Sequence, residues 1–315
     1  CLLCEGKNWG NLKKRYKMSD KLAKLLQTPD KKMTAAELDY LAACFRENMF
    51  TVLHERGTGH WGGSSSAAEL VTALYFNRMN IDPKNPKDPD RDRLILSKGH
   101  ASINLYTVLA ARGFFPYEDT HTFRMLGSYL QGHPAMLKVP GVDMSTGALG
   151  HGISVGVGMA LAAHLSGKNY HTYVMTGEGC LNEGSSWEAL MYAAKEKDKM
   201  KGLVLMIDYN KVQLDGTMNE IMPLEPLKAK LESFGWHVSP EQYNGQCCAD
   251  ILKSFEWMDS DDIWPKAVVY DTTKGAIVSF SEGKNAWHGA AIDDEHYEIG
   301  IKDLKADTAK KEALV

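Results

Sequence analysis

The chain has 315 residues, of which 44% are hydrophobic and 24% charged. It is long enough to bury a large core, which excludes disordered, collagen-like and coiled-coil proteins. With 36 basic and 40 acidic residues the net charge is -4, so no basic field favours nucleic acid or an anionic membrane. No segment approaches the roughly 18 apolar residues of a membrane span, and we expect a soluble protein whose partners are small molecules or other proteins.

An amino-terminal arm and a long helix open the chain. Residues 1–33 are rich in lysine and carry one short amphipathic run, Ser19–Gln27. The pattern changes at Thr34, because Thr34 and Glu37 form a capping-box pair and hydrophobic residues then recur at helical spacing. The sequence predicts a helix over about Ala35–His54.

A glycine loop and a second helix follow. The loop covers residues 57–63 and contains several glycines. Ser66 and Glu69 repeat the capping-box spacing and predict a helix that continues through residues 70–75. A proline-rich connector over residues 83–89 then excludes helix.

Short apolar runs separated by helical stretches or loops indicate buried strands. Strands that alternate with helices predict an α/β fold with a mostly parallel sheet flanked by helices on both faces. No linker or repeat interrupts residues 34–300, so we predict one domain there and a C-terminal tail over residues 301–315. The predicted strands are Arg93–Ser97, Thr172–Thr176, Leu203–Asp208 and Lys266–Asp271.

The six cysteines are too scattered for a disulfide framework, which favours a reducing, cytoplasmic location. Cys1 and Cys4 form a C-x-x-C pair that, with Cys247 and Cys248, suggests a zinc site as an alternative. Adjacent thiolates rarely bind one metal without strain, and we disfavour that site.

Glycines and polar side chains follow two of the predicted strands. Gly177, Glu178 and Gly179 come directly after one strand, and Asn210 follows the next. Glycines let the backbone approach a ligand, while carboxylate and amide oxygens bind Mg²⁺ together with phosphate oxygens. The sequence therefore favours a magnesium–diphosphate site. The alternative is that the glycines only turn the chain while Glu178 caps a helix.

A second glycine-rich segment, Ser145–Gly152, runs into a helix that carries Gly156 and Gly158. Each glycine inside a helix costs up to about 1 kcal/mol, so the helical glycines indicate close packing. The loop glycines indicate contact with a flat ligand ring.

Four histidines lie beside glycines in loops: His60, His100, His133 and His288. Imidazoles at one edge of a sheet can donate hydrogen bonds to phosphates and sugar hydroxyls and can move protons near neutral pH. A single histidine is usually structural, but four in such loops indicate a shared site. The sequence has no motif of serine hydrolases, zinc proteases, P-loop NTPases or dinucleotide-binding proteins, so those classes lose support.

Several motifs, taken in order, resemble the amino-terminal, diphosphate-binding half of transketolase, a thiamin diphosphate enzyme. They extend over roughly 35–290 and are far more specific together than singly. The motifs are Gly59–Ser64, Leu96–Ala101, Gly132–Pro134 with Pro140–Val142, Ser145–Gly152, Gly177–Gly184, Asp208–Gly216 and Trp287–Gly289.

The resemblance implies thiamin diphosphate and Mg²⁺ as cofactors. Glu178, Asn210 and the backbone carbonyl of Val212 stand where the family binds its metal. The implied activity is transfer of a two-carbon ketol unit from a ketose to an aldose, often phosphorylated sugars, as in the pentose phosphate pathway. The other implied positions are the catalytic histidines His60, His100, His133 and His288, of which His100 and His288 also lie near the diphosphate, and the cofactor-lining residues Gly147, Leu149, Gly177, Gly179 and Leu214.

Two positions depart from the family pattern. The family has Gly-Asp-Gly where this chain has Glu178 between the glycines. Because the carboxylate reaches one methylene further, Ca²⁺ or Mn²⁺ are alternatives to Mg²⁺. Trp61 stands where a smaller aliphatic residue is expected, and we expect its indole to reshape the sugar site.

The resemblance also implies a protein partner. Complete transketolases are much longer, because a second domain binds the aminopyrimidine and supplies the glutamate that activates the cofactor. We therefore predict the N-terminal subunit of a split transketolase, with active sites completed by a separate C-terminal transketolase subunit in a heterotetramer.

Three alternatives stay open. A synthase that uses pyruvate as donor is one, although residues 97–100 and 132–134 look more like transketolase. The second is a transketolase specialised for a sulfonated or branched sugar, which Trp61 favours. The third is a non-catalytic cofactor-binding or regulatory subunit, which Glu178 favours.

Overall fold

The computed structural model describes residues 18–27 and 32–315. Cys1 and Cys4, and with them the zinc alternative, lie outside these residues. The helices are α1 Asp20–Leu26, α2 Ala35–Arg56, α3 Trp61–Ser66, α4 Ala68–Ala73, α5 Ser102–Arg112, α6 His151–Leu165, α7 Gly184–Lys195, α8 Met218–Ile221, α9 Leu227–Ser233, α10 Cys248–Met258 and α11 Asp294–Glu312.

A six-stranded sheet forms the centre of the fold. Its order is β1-β2-β3-β6-β4, β5 also pairs with β6, and every pairing is parallel. The predicted parallel α/β class is confirmed. The strands are β1 Arg93–Leu96, β2 Thr172–Gly177, β3 Leu203–Tyr209, β4 His237–Val238, β5 Tyr243–Asn244 and β6 Lys266–Asp271.

The two faces of the sheet bury separate apolar cores, because successive residues of a strand point to opposite faces. Val204 and Met206 of β3 join a core with α2, α4 and α5, whereas Leu205 and Ile207 join a core with α6 and α7. Both β2 and β3 are buried along their whole length. Helices on both faces thus leave the strand ends as the accessible edge.

Helix α6 packs closely on the sheet at one of its two predicted glycines. A Cβ atom added to Gly156 would lie 2.3 Å from Cγ2 of Val174, whereas one added to Gly158 would meet no atom within 4 Å. The prediction of close packing is therefore confirmed at Gly156 and wrong at Gly158.

The first predicted capping box is confirmed and the second is wrong. Thr34 and Glu37 cap α2 reciprocally. Ser66 instead ends α3, and the carboxylate of Glu69 binds the guanidinium of Arg46 at 2.5 Å, with both side chains buried. A buried arginine left unpaired would be costly, so Glu69 serves Arg46 and not the helix start.

The glycine loop is shorter than predicted, because α3 begins at Trp61. The indole of Trp61 is 1% exposed, packs edge-on against Phe50 with ring centroids 4.9 Å apart, and donates its N–H to Ser281 Oγ at 2.9 Å. Trp61 therefore belongs to the core, and the expectation that its indole reshapes the sugar site is not supported by its position.

Helix α11 lies along α2. Tyr297 stacks on His54 and Phe50, with ring centroids 4.0 and 5.8 Å apart. The helix crosses residue 300, where the sequence predicts the start of a tail. Among the helices of residues 18–27 and 32–315, none combines the length and the apolar character needed to cross a membrane.

Candidate active site

The carboxyl ends of β1, β2, β3 and β6 lead into loops around one cavity of about 350 Å³. Ligands of parallel α/β sheets bind at this edge, where the loops to the following helices converge. Three of the predicted site residues, His60, His133 and Gly147, lie outside its wall. The predicted residues that line the cavity are His100, Leu149, Gly177, Glu178, Gly179, Asn210, Val212, Leu214 and His288.

The three predicted metal ligands form one wall of the cavity. Glu178 follows β2, while Asn210 and Val212 follow β3, and the two strands are paired up to Gly177 and Asp208. The Asn210 N–H donates to Glu178 Oε2 at 3.3 Å, and the Val212 N–H donates to Asn210 Oδ1 at 3.2 Å. Burial, followed by the nearby charge of Asp208, raises the pKa of Glu178 to about 7.

Two buried lysines complete the wall, and neither is among the predicted site residues. Lys98 follows β1 and forms a buried ion pair with Asp208. Lys274 follows β6, and its Nζ donates to the Val212 carbonyl at 2.8 Å and to His288 Nδ1 at 2.7 Å. Burial lowers the pKa of Lys274 to about 8. Each lysine is followed by a glycine in the loop after a strand. A neighbouring glycine is also the feature by which the four histidines were predicted, so the same feature could have identified these lysines.

The structure brings the four predicted histidines together; we call His60, His100, His133 and His288 the histidine cluster. The ring of His60 lies 5.1, 5.5 and 6.4 Å from those of His100, His288 and His133. Burial, with repulsion by nearby positive groups, lowers the pKa of every ring, to about 4 for His60 and about 3 for His288. All four are neutral at pH 7, so each offers one donor and one acceptor nitrogen.

Gly147 lies beside the histidine cluster and not on the cavity wall. A Cβ atom added to Gly147 would lie 3.2 Å from the ring of His133, so glycine leaves room for the imidazole. Gly179, by contrast, faces open space in the cavity, with no atom within 4 Å of an added Cβ. Gly147 therefore makes room for a histidine ring, whereas Gly179 leaves space in the cavity.

The residues present fit a divalent cation bound together with a diphosphate. Carboxylate, amide and carbonyl oxygens are the hard ligands that Mg²⁺ prefers. The raised pKa of Glu178 reflects a buried anion whose cost a bound cation would offset. Lys98 and Lys274 bring positive charge to the same wall, which suits phosphate oxygens.

Of the four cysteines in the zinc alternative, only Cys247 and Cys248 lie within the described residues. Within residues 18–27 and 32–315, no group of three or more His, Cys, Asp or Glu side chains is placed to hold a metal. Cys248 is buried and Cys247 partly buried, and both are free thiols. The candidate metal site instead combines a single carboxylate with neutral oxygens.

An oxygen-rich wall, two buried lysines and a neutral histidine cluster at the carboxyl edge of a parallel sheet are typical of an enzyme that holds a metal–diphosphate cofactor beside a polar substrate. Comparison with known sequences gives the family. The chain belongs to the transketolase family, since the profile described as "Transketolase, thiamine diphosphate binding domain" matches residues 41–311. Members of this family are thiamin diphosphate-dependent transferases, and the recognition of the family from its motifs is confirmed.

Individual relatives agree with this assignment. The chain is 40% identical to one subunit of the apulose-4-phosphate transketolase of Phocaeicola vulgatus, over 85% of this chain and 93% of the relative. It is also 40% identical to the 6-deoxy-6-sulfo-D-fructose transketolase subunit SqwG of a Clostridium species, over 87% of this chain and 98% of the relative. A Pichia stipitis transketolase in complex with sedoheptulose-7-phosphate superposes with a TM-score of 0.78 at 28% identity, covering 89% of this chain and 45% of that one.

Proposed function

We propose that this chain is the N-terminal subunit of a two-subunit transketolase, which transfers a two-carbon ketol unit from a ketose or ketose phosphate to an aldose acceptor. One observation carries the proposal: two relatives to which the chain is 40% identical are both named as transketolase subunits. The cavity at the sheet edge supplies the chemistry that such a protein needs.

The cavity wall would hold the cofactor through its metal and diphosphate. Glu178, Asn210 and the Val212 carbonyl would bind Mg²⁺, with Ca²⁺ or Mn²⁺ as alternatives because of the longer glutamate. Lys98 and Lys274 would offset the remaining phosphate charge. When bound, thiamin diphosphate supplies the nucleophilic carbon that takes up the two-carbon unit.

The histidine cluster would bind the sugar. Each neutral ring has one N–H that can donate a hydrogen bond to a hydroxyl or carbonyl oxygen. His100 and His288 line the cavity, His60 lies close to both rings, and His133 lies beyond His60. A polyhydroxylated substrate matches this group of polar rings better than an apolar one.

A separate C-terminal transketolase subunit would supply the carboxylate that activates the cofactor, in a cytoplasmic heterotetramer. Three apolar side chains at the mouth of the cavity support a protein partner there: Leu214, Ile221 and Met222 are 58%, 43% and 54% exposed. Apolar side chains grouped at the rim of a polar site are typical of a surface that another chain covers.

Two classes of sugar are candidates for the substrate. The two relatives are named for apulose-4-phosphate and for 6-deoxy-6-sulfo-D-fructose, so a branched or sulfonated sugar is the first candidate. Ordinary pentose and hexose phosphates of carbohydrate metabolism are the second. A panel containing both classes separates them by relative kcat/KM.

The test begins with tagged protein isolated from its own source. We expect a second subunit in equal amount, bound thiamin diphosphate, and two-carbon transfer from a ketose donor. Turnover with pyruvate as the sole donor would instead support the synthase alternative. Recovery of the chain alone, without cofactor and inactive with every ketose tested, would support the non-catalytic alternative.

A further inference from the structure

Arg124 lies directly behind His60, a contact that the sequence motifs do not reveal. Nη2 of Arg124 is 3.4 Å from Nδ1 of His60. A guanidinium group carries only hydrogen-bond donors, so the Nδ1 atom that receives this contact must be an acceptor. In a neutral imidazole the proton then resides on Nε2.

The guanidinium is held in place from several sides. Nη1 donates to Thr58 Oγ1 at 2.6 Å, and the group lies over the ring of Phe123, 5.5 Å from its centroid. A Cβ atom added to Gly132 would come within 2.6 Å of Arg124 Nε, so the glycine leaves the space that the guanidinium fills. The backbone of Arg124 has φ of 57°, a region that residues other than glycine rarely adopt. Together, these features fix the guanidinium of Arg124 in one position.

The opposite edge of the His60 ring, which carries Nε2, faces the loop of residues 288–289. A Cβ atom added to Gly289 would lie 3.3 Å from His60 Nε2, so this nitrogen lies beside the loop that carries His288. The titratable rings of His100 and His288 also face His60. Burial, followed by repulsion from Arg124, His133 and Lys274, lowers the pKa of His60 to about 4. The ring thus stays neutral over the physiological range.

We propose that Arg124 is a positioning residue, which holds His60 in the neutral tautomer that carries its proton on Nε2 and directs this N–H into the histidine cluster. His60 then acts toward a ligand as a hydrogen-bond donor and not as a proton acceptor. That this ligand is a sugar hydroxyl rests on the proposed function, whereas the tautomer is a property of the chain without substrate.

The tautomer can be read by nitrogen NMR of the full chain labelled with [¹⁵N]histidine, using His60→Gln to assign the His60 signals. In the wild type we expect the proton on Nε2 alone and no protonation of the ring down to about pH 5. In Arg124→Met we expect the proton to be shared between the two nitrogens and protonation to begin above that pH. Arg124→Lys, which keeps a cationic donor, should restore much of the wild-type behaviour.

Matched controls separate this effect from loss of any arginine or of the fold. Arg112→Met removes a guanidinium that stacks on Phe76, 5.5 Å from the ring centroid, and should leave the His60 signals unchanged. If Arg124→Met does not fold, Thr58→Val removes an anchor of the guanidinium and should shift the same signals by a smaller amount. A wild-type proton on Nδ1, or a variant lacking the arginine donor with an unchanged spectrum, overturns the proposal.

Because the measurement uses the chain without substrate or partner, its outcome does not depend on transketolase activity. Failure of the proposed function would leave the tautomer as measured. Failure of the tautomer assignment would leave the ketol-transfer proposal standing and change only the role of His60 within it.

Discussion

Glu178 is the residue on which the candidate metal site depends. It is 2% exposed, and the raised pKa shows that its charge is poorly compensated by the surrounding protein. A cation bound by Glu178 therefore gains a strong ligand while relieving an electrostatic cost. A test should therefore remove the charge of Glu178 and keep the length of its side chain.

Glu178→Gln keeps the length of the side chain and removes its charge. We expect the affinity for thiamin diphosphate with Mg²⁺ to fall at least about tenfold, or about 1.4 kcal/mol, since the only charged ligand is lost. The unfolding temperature of the free chain should not fall, because an amide is cheaper to bury than a carboxylate. Calorimetric titration with and without Mg²⁺ measures the first effect, and thermal melting the second.

Asp215→Asn is the matched control, because it removes an exposed carboxylate from the lining of the same cavity. This variant should bind the cofactor as the wild type does. Equal affinity in Glu178→Gln and the wild type would mean that the metal is held elsewhere.

The same carboxylate makes cofactor binding depend on pH. Below its pKa of about 7, Glu178 must lose a proton before it can bind the metal, so the apparent affinity should weaken as pH falls. The expected slope is up to about tenfold per pH unit below pH 7, with little change above about pH 8. Measurements of cofactor affinity across this pH range, in the wild type and in Glu178→Gln, separate the ionisation of Glu178 from that of the cofactor. Parallel profiles in the two proteins would contradict the assignment.

Single residues differ in how visible they are in the sequence. The four histidines could be found because each neighbours a glycine in a loop. The Lys98–Asp208 ion pair could not be found, because its partners are 110 positions apart and meet only when β1 and β3 flank β2. The buried position of Trp61 likewise depends on Phe50 and Ser281, which come from distant segments.

At the scale of elements, the strands in the middle of the sheet are predictable and the short ones are not. The start and end of β6 agree with the prediction, and β2 and β3 each end one residue later than predicted. Such strands are continuous apolar runs. In contrast, β4 and β5 have two residues each, too few to show any periodicity. The sequence predicts a loop where α3 begins, because Gly-Gly-Ser has low helix propensity, which tertiary packing overrides.

The two glycines of α6 give a matched test of helix-on-sheet packing. Gly156→Ala places a methyl group 2.3 Å from Val174 Cγ2, so we expect a loss of about 1–3 kcal/mol in the free energy of unfolding. Gly158→Ala meets open space and should stabilise by up to about 1 kcal/mol, because alanine is the better helix former. Denaturant unfolding of both variants measures the contrast. Equal changes of the same sign would show that α6 does not pack on β2 in this way.

At the scale of the whole molecule, the candidate site joins elements that the chain order keeps far apart. Lys98 follows β1, Glu178 follows β2, Asn210 and Val212 follow β3, and Lys274 follows β6. These four strands are consecutive in the sheet, and each contributes residues to both apolar cores. A ligand that contacts all four loops therefore links four neighbouring strands. Because these strands separate when the chain unfolds, such a ligand should stabilise the folded state.

This arrangement predicts that the cofactor stabilises the chain globally and only as a metal complex. Thiamin diphosphate with Mg²⁺, at about 100 times its dissociation constant, should add about 2.7 kcal/mol to the free energy of unfolding. Thiamin without its diphosphate should have little effect, since it lacks the groups that Lys98, Lys274 and the metal would bind. Chelation of the metal should reverse the stabilisation, as followed by thermal melting with each ligand. Equal stabilisation by thiamin and by thiamin diphosphate would contradict the placement of the diphosphate at this edge, because binding would then owe nothing to the charges that the four loops bring together.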